Sequence, residues 1–174
     1  MDEPNGKRSV LFVCLGNICR SPLAEGVFLH LARERGVLDG WRVDSAGTGA
    51  WHAGERADRR MRATAGEHGV ELPSIARQVD PDRDFPDLMG AGGFDHIVVM
   101  DRSNLENVLS LGAPPERVRM LGSWLPAGSP FGAVRGPHDA PEVPDPYYGG
   151  PEGFDRVYEM AVLACGGMLD ELGG

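Results

Sequence analysis

The sequence predicts an α/β domain of three layers built on a parallel sheet, and three observations carry that expectation. Short β-branched and aromatic runs alternate with longer segments of helical period. The first of these runs is apolar at consecutive positions, as a strand covered on both faces should be. No internal repeat, low-complexity tract or linker divides the 174 residues. One domain over residues 9–174 follows, preceded by a flexible polar tail over residues 1–8.

Taken in order, Ser9 to Cys14 (SVLFVC) reads as a buried strand that ends in the turn-forming Leu15-Gly16-Asn17. A helix is expected from about Pro22, where a proline in the first turn sacrifices no hydrogen bond. Its stripe is Leu23, Val27 and Leu31, with Ala24 and Phe28 alongside. Trp41 to Val43 is a second short strand, followed by Asp44-Ser45-Ala46-Gly47. A helix through roughly Ala57 to His68 stops at Gly69. Phe94 to Met100 (FDHIVVM) is the third strand, and Ser103 with Glu106 matches a capping box opening the next helix, which ends near Gly112. Val118 to Leu121 is a fourth strand. A last helix, about Glu152 to Leu172, places Phe154, Val157, Tyr158, Ala161, Cys165, Met168 and Leu169 on one side. Between them, Gly122 to Pro146 has neither period and is rich in Pro and Gly. A loop beyond about 12–15 residues is uncommon unless it works or is disordered, so this one is a candidate lid or wall.

Composition removes several classes of function. With 41% hydrophobic residues the chain can fill a core, so wholesale disorder is out. No apolar run approaches the roughly 20 residues of a membrane span, so no membrane partner is expected. The polar N-terminus lacks a signal-peptide core, and a cytoplasmic location follows. Three unevenly spaced cysteines make no secreted disulfide framework. A net charge of -9 argues against a nucleic-acid partner but leaves room for a small anion, which responds to the local field. Of 17 basic residues only Lys7 is a lysine, and it sits in the tail. Walker-type nucleotide loops, protein kinases and Schiff-base enzymes all need a lysine in a structured site. His30, His52, His68, His96 and His138 form no His-x-x-x-His pair and no Cys-x-x-Cys occurs, so no metal and no cofactor are expected.

The chemistry concentrates in Cys14-Leu15-Gly16-Asn17-Ile18-Cys19-Arg20-Ser21, a C-x5-R spacing. Alone it is weak evidence in an arginine-rich chain, and a buried Cys beside a surface Arg would explain it. Its context sharpens it. Cys14 ends a strand and Arg20 stands where a helix begins, the place where parallel α/β sheets bind ligands. A glycine-containing loop there can turn successive N–H groups inward, and the helix N-terminus adds positive potential. Residues Leu15 to Arg20 therefore form a candidate phosphate cradle, with the Arg20 guanidinium as a fork for two oxygens. The same field favours the Cys14 thiolate over the thiol, and Ser21 is placed to donate to it.

A phosphate ester also needs a proton for its leaving oxygen. Asp101 and Asp145 are the acids in loops at the right end of the sheet. Asp101 begins a helix and reads more readily as an N-terminal cap. Asp145 lies between Pro144 and Pro146 and precedes Tyr147 and Tyr148, which can wall a pocket for an aryl group. An ordinary Pro-rich surface turn explains that segment equally well.

VLFVCLGNICRSP at Val10 to Pro22, with DPYYGG at Asp145 to Gly150, resembles the low-molecular-weight protein tyrosine phosphatases. The resemblance extends through DSAGT at Asp44 to Thr48, Trp51, the pair His68-Gly69, and MDRSNL at Met100 to Leu105. It implies a four-stranded parallel sheet with helices on both faces. It further implies hydrolysis of phosphotyrosine in protein substrates through a cysteinyl-phosphate, with phosphate as product and inhibitor. Cys14 is then the nucleophile, Arg20 the phosphate-binding group and Asp145 the general acid. Asn17, Ser21, Ser45 and His68 match the polar network that supports the loop, although His68 read alone is a helix-end histidine. Trp51, Tyr147 and Tyr148 line the pocket mouth; Trp51 could equally be core. Segment 126–143 looks longer than the family's usual approach to the acid. An arsenate reductase of the same fold needs a resolving cysteine pair, and none lies between Cys19 and Cys165. A phosphate-binding module without turnover is disfavoured by Cys14, Arg20 and Asp145 together, whereas some non-protein aryl or sugar phosphate fits the same residues. Cys19 next to Arg20 is either small buried filler or a redox partner of Cys14.

Overall fold

The computed structural model describes residues 7–173. Four strands, β1 (Arg8–Cys14), β2 (Trp41–Gly47), β3 (His96–Val99) and β4 (Val118–Met120), form one parallel sheet in the order β2-β1-β3-β4. Helices α1 (Arg20–Glu34), α2 (Arg59–Glu67), α3 (Pro81–Asp84), α4 (Arg102–Ser110) and α5 (Pro151–Leu172) connect and cover them. Alternate residues of β1 separate the two halves of the core. Val10 and Phe12 pack with α1, α2 and α5, while Leu11 and Val13 pack with α4 and with Phe85 and Phe94. Helices thus lie on both faces, and both faces of β1 are dry, which is why its sequence shows no polar alternation.

The strand order places the site. The chain leaves β1 toward β2 on one side and returns to β3 on the other, so the crevice beyond the C-terminal ends of β1 and β3 is a topological switch point. Cys14 ends β1, and Asp101 follows β3 by two residues.

Several expectations change in detail. Residues 1–6 of the expected tail lie outside the described residues, but Arg8 belongs to the sheet. It pairs with Trp41, stacks its guanidinium 4.7 Å from that ring's centroid, and donates to the Gly173 carbonyl at 2.9 Å. Helix α1 starts at Arg20 rather than Pro22, and β2 runs on to Gly47. The capping box at Ser103 is not used. Asp101 caps α4 instead, its Oδ1 accepting the Asn104 N–H at 2.7 Å, because a carboxylate one residue before the helix reaches that donor directly. Gly69 does stop α2, at φ 76°.

The long segment between β4 and α5 is a fastened strap. Pro137 O accepts the Met120 N–H at 2.8 Å, His138 Nε2 contacts Val118 O at 2.7 Å, and Arg102 pairs with Asp139 at 2.7 Å. Ala140 and Val143 are buried in the core, and the Val143 N–H donates to Met100 O at 2.8 Å. These ties secure the short edge strand β4 and deliver the chain to Asp145.

Candidate active site

The turn from β1 into α1 curls around Cys14. Its carbonyls are drawn outward: Cys14 O and Leu15 O accept from Thr48 N and Gly49 N at 2.9 Å each, and Ile18 O accepts from Asp58 N at 2.7 Å. That arrangement leaves the N–H groups of Gly16, Ile18 and Cys19 without a protein acceptor among the described residues. Asn17 N–H points to Cys14 Sγ at 3.3 Å. Inward amides at a helix N-terminus make an anion cradle.

Asn17 makes the curl possible. It is the sole non-glycine residue with positive φ among the described residues, at 57°, a conformation asparagine tolerates better than most residues. Its buried amide is saturated. Nδ2 donates to Ser21 Oγ at 2.8 Å and to Ser45 Oγ at 3.0 Å, while Oδ1 accepts the Arg77 N–H at 3.0 Å. Ser21 Oγ stands 3.0 Å from Cys14 Sγ. Arg77 is itself held by Asp44 and by the fully buried Asp84, so the donor that orients Asn17 sits on a rigid support.

Arg20 is 4% exposed. Its Nη1 reaches Asp101 Oδ2 at 2.6 Å and Val143 O at 3.0 Å, and its Nη2 lies 3.8 Å from Asp145. Burial works against the charge. The Cys14 sulfur and the two aspartates outweigh it and hold the guanidinium proton above the ordinary arginine range.

Above the loop opens a cavity of about 310 Å³, lined by Cys14, Leu15, Gly16, Ile18, Cys19 and Arg20 below. Its walls are Trp51, His52, Asp145, Tyr147 and Tyr148. Trp51 is 72% exposed, which excludes the core alternative for it. Asp145 Oδ1 accepts the Tyr147 N–H at 3.0 Å, a local turn that fixes the carboxylate. Tyr147 meets Tyr148 edge-on at 4.9 Å, and the Arg60 guanidinium lies 5.2 Å over the Tyr147 ring. Of the candidate lid or wall over Gly122 to Pro146, the part 126–143 does not line the cavity, while Asp145 near its end forms one of the walls.

One expected residue sits differently. His68 caps the C-terminus of α2, is exposed, and stacks on Tyr158 at 4.1 Å, away from the loop. Glu25 occupies the network instead, accepting from Ser45 Oγ at 2.6 Å. Burial, reinforced by Asp44 and opposed by Ser45, Ser74 and Arg77, pushes its carboxyl up to about 7. Cys19 is buried and unpaired; burial first, then the nearby Asp58, pushes its thiol well above the ordinary cysteine range. Sequence reasoning missed His52, which lines the cavity and contacts Glu55 at 2.7 Å, as well as Glu25 and the support from Arg77. The available signal for Glu25 was an acid at an otherwise apolar stretch of helix, between Leu23-Ala24 and Val27-Phe28.

The family model described as low molecular weight phosphotyrosine protein phosphatase matches residues 9–173. The chain is 43% identical over 164 residues to a low molecular weight protein-tyrosine-phosphatase of Streptomyces coelicolor, covering 92% of this chain and 90% of that one. It is 36% identical over 170 residues to the low molecular weight phosphotyrosine protein phosphatase of Rattus norvegicus, covering 95% and 96%. A crystal structure of a protein tyrosine phosphatase from Entamoeba histolytica, with Hepes in its active site, superposes with a TM-score of 0.81 at 34% identity, covering 96% of this chain and 97% of that one. With the cradle, its buried arginine and the sheet order in agreement over nearly the full length, the chain belongs to the low molecular weight phosphotyrosine protein phosphatase family.

Proposed function

We propose that the protein hydrolyses phosphotyrosine in protein substrates through a cysteinyl-phosphate intermediate. The observation that carries this reading is one cavity holding a cysteine sulfur among inward amides, a buried guanidinium and a carboxylate at the opposite wall. The Cys14 sulfur attacks phosphorus in line while Asp145 gives its proton to the leaving phenolate oxygen. The phosphorus–oxygen bond breaks as the sulfur–phosphorus bond forms. Asp145, now ionised, takes a proton from water, which attacks the cysteinyl-phosphate and releases inorganic phosphate. Arg20 and the loop amides meet the charge spread over the equatorial oxygens in both steps. Inorganic phosphate fits the same cradle and is expected to inhibit.

Trp51, Tyr147 and Tyr148 place three aromatic side chains around the mouth, which favours a flat aryl ester over an alkyl one. Free cysteines at positions 14, 19 and 165 suit the reducing cytoplasm. Turnover of p-nitrophenyl phosphate and of a phosphotyrosine peptide, set against a phosphoserine peptide, tests the assignment. Hydrolysis of the first two only is expected, and equal rates on phosphoserine overturn the aryl preference.

A further inference from the structure

Glu25 is a buried acid, 6% exposed, without a role in the bond-breaking steps. Its carboxylate accepts from the Ser45 hydroxyl, at 2.6 Å, and Ser74 bears on it from the facing segment. The cation that acts on it, Arg77, is already engaged by Asp44 and Asp84. A carboxyl so placed has no obvious purpose in packing.

The hydrogen-bond directions supply one. The Arg77 backbone N–H can only donate, so the atom facing it is the Asn17 amide oxygen. Both Asn17 Nδ2 hydrogens are then directed at Ser21 Oγ and Ser45 Oγ. Each hydroxyl accepts one of them and must send its own hydrogen onward. Ser45 sends its hydrogen to Glu25 Oε1, and Ser21 Oγ, 3.0 Å from Cys14 Sγ, sends its hydrogen there when that sulfur is the thiolate of the reaction. The chain is therefore polarised at both ends: a backbone donor at one, a side-chain acceptor at the other. Without an acceptor beyond Ser45, that hydroxyl turns its hydrogen back toward the Asn17 amide. The amide is then displaced, and Ser21 no longer has its lone pair filled and its hydrogen aimed at sulfur.

We propose that Glu25 is a positioning residue of the phosphatase reaction: by accepting the Ser45 hydroxyl hydrogen it sets the direction of the chain Ser45–Asn17–Ser21, so that Ser21 donates to Cys14. The proposal rests on Cys14 being the nucleophile. The charged and titratable groups that bear on Glu25 are Asp44 on β2 and Arg77 on the segment after α2, with Cys14 at the far end of the chain. Glu25 fulfils the role in either protonation state, since a proton on Oε2 leaves Oε1 free to accept.

The test compares Glu25→Gln with Glu25→Leu. Glutamine keeps an acceptor oxygen toward Ser45; leucine fills the space and accepts nothing. The readouts are kcat and KM on p-nitrophenyl phosphate, and the pH profile of Cys14 alkylation by iodoacetamide, which needs no turnover. Glu25→Gln is expected to keep kcat within about threefold of wild type and to leave the alkylation midpoint in place. Glu25→Leu is expected to lower kcat by about tenfold or more with little change in KM, and to move the midpoint up by about one pH unit, the scale of one hydrogen bond to a charged sulfur. A folded Glu25→Leu with an unmoved midpoint, or a Gln variant as impaired as the Leu variant, overturns the proposal. Should Glu25→Leu fail to fold, Ser45→Ala breaks the chain at the next link, and an unmoved midpoint there overturns it equally. Because alkylation is read without substrate, inactivity of the wild type on aryl phosphates would sink the proposed function and leave the Glu25 result standing or falling separately.

Discussion

Asp101 joins two duties in one carboxylate: Oδ2 lies 2.6 Å from Arg20 Nη1, and Oδ1 accepts the Asn104 N–H at 2.7 Å. The first contact ties the end of β3 to the loop after β1; the second caps α4. With both oxygens committed and a buried guanidinium against it, this carboxylate is poorly placed to deliver a proton to a leaving group.

The two duties separate by substitution. Asparagine is as good an N-cap as aspartate, so whatever thermal stability Asp101→Asn loses reports the buried ion pair with Arg20 and not the cap. It removes the charge that holds Arg20, and KM for p-nitrophenyl phosphate should rise about tenfold, the order of one charge-assisted hydrogen bond. Asp101→Ala should show the same kinetic defect and lose about 1 kcal/mol of stability besides. Equal stability of the Asn and Ala variants would show that the cap contributes nothing.

Asp145→Asn should lower kcat on phosphotyrosine by ~10²–10⁴, the usual worth of a general acid. On p-nitrophenyl phosphate, whose leaving group departs without help, phosphorylation of the enzyme should suffer much less. The signature is this dependence on the leaving group. If Asp101→Asn displays it and Asp145→Asn does not, the acid has been assigned to the wrong aspartate.

Cys14→Ser should abolish turnover while vanadate and phosphate still bind, because the amides of the loop and Arg20 remain in place. Isothermal titration with phosphate checks the second half. Activity within tenfold of wild type would remove Cys14 as the nucleophile.

The parts of the fold legible in the sequence are those where one physical demand dominates. Val10 to Val13 must be apolar on both faces, and no helix or loop explains four such residues ending at a cysteine and a glycine turn. Asn17 entered through the resemblance, and the structure gives its physical reason: a left-handed backbone position that few residue types accept. Glu25 and His68 were not legible. A single acid on a helix reads as a solvated charge, and only the tertiary meeting of α1 with β2 and with Arg77 shows it buried. His68 carried an expected role, but its side chain turns to the outer face of α5 and stacks on Tyr158. Segment 126–143 has no period to read because its order comes from ties to β4, Met100 and Arg102 made one at a time.

Glu25 also makes a pH-dependent contribution to stability. Its ordinary carboxyl value is 4.5, and burial pushes it up to about 7 in the folded chain. Between those values the folded state holds more protons than the unfolded one, so raising the pH favours unfolding. The contribution of this group is full below 4.5 and is lost as the pH passes 7, a change of about 3 kcal/mol. Glu25→Gln cannot ionise. Relative to wild type it should therefore be progressively more stable as the pH rises from 4.5 to 8, about as far as the loss extends. Denaturant midpoints of the two proteins across that range check it, and parallel curves would show that Glu25 does not titrate there.

Cys14 and Cys19 bracket the tightly curled loop, and both residues line the same cavity. Burial holds Cys19 as a neutral thiol, so it does not compete with Cys14 for the reactive role. The expectation is that it serves a Cys14 that has been oxidised: hydrogen peroxide would convert the Cys14 thiolate to a sulfenic acid, the Cys19 thiol would attack that sulfur, a disulfide would form, and the hydroxyl would leave as water. Dithiothreitol, supplying two thiols, returns both cysteines to the reduced state. Peroxide should therefore inactivate the wild type reversibly, with bound phosphate slowing the loss by shielding Cys14. In Cys19→Ser the sulfenic acid has no internal trap and proceeds to sulfinic acid, so dithiothreitol should restore only a minor part of the activity. Cys165, fully buried with its thiol directed to Ala24 O, serves as the internal control and should stay unmodified. Peptide mapping of the oxidised wild type should find Cys14 linked to Cys19. Absence of that link, together with equal recovery in Cys19→Ser, would leave Cys19 as buried filler at the start of α1.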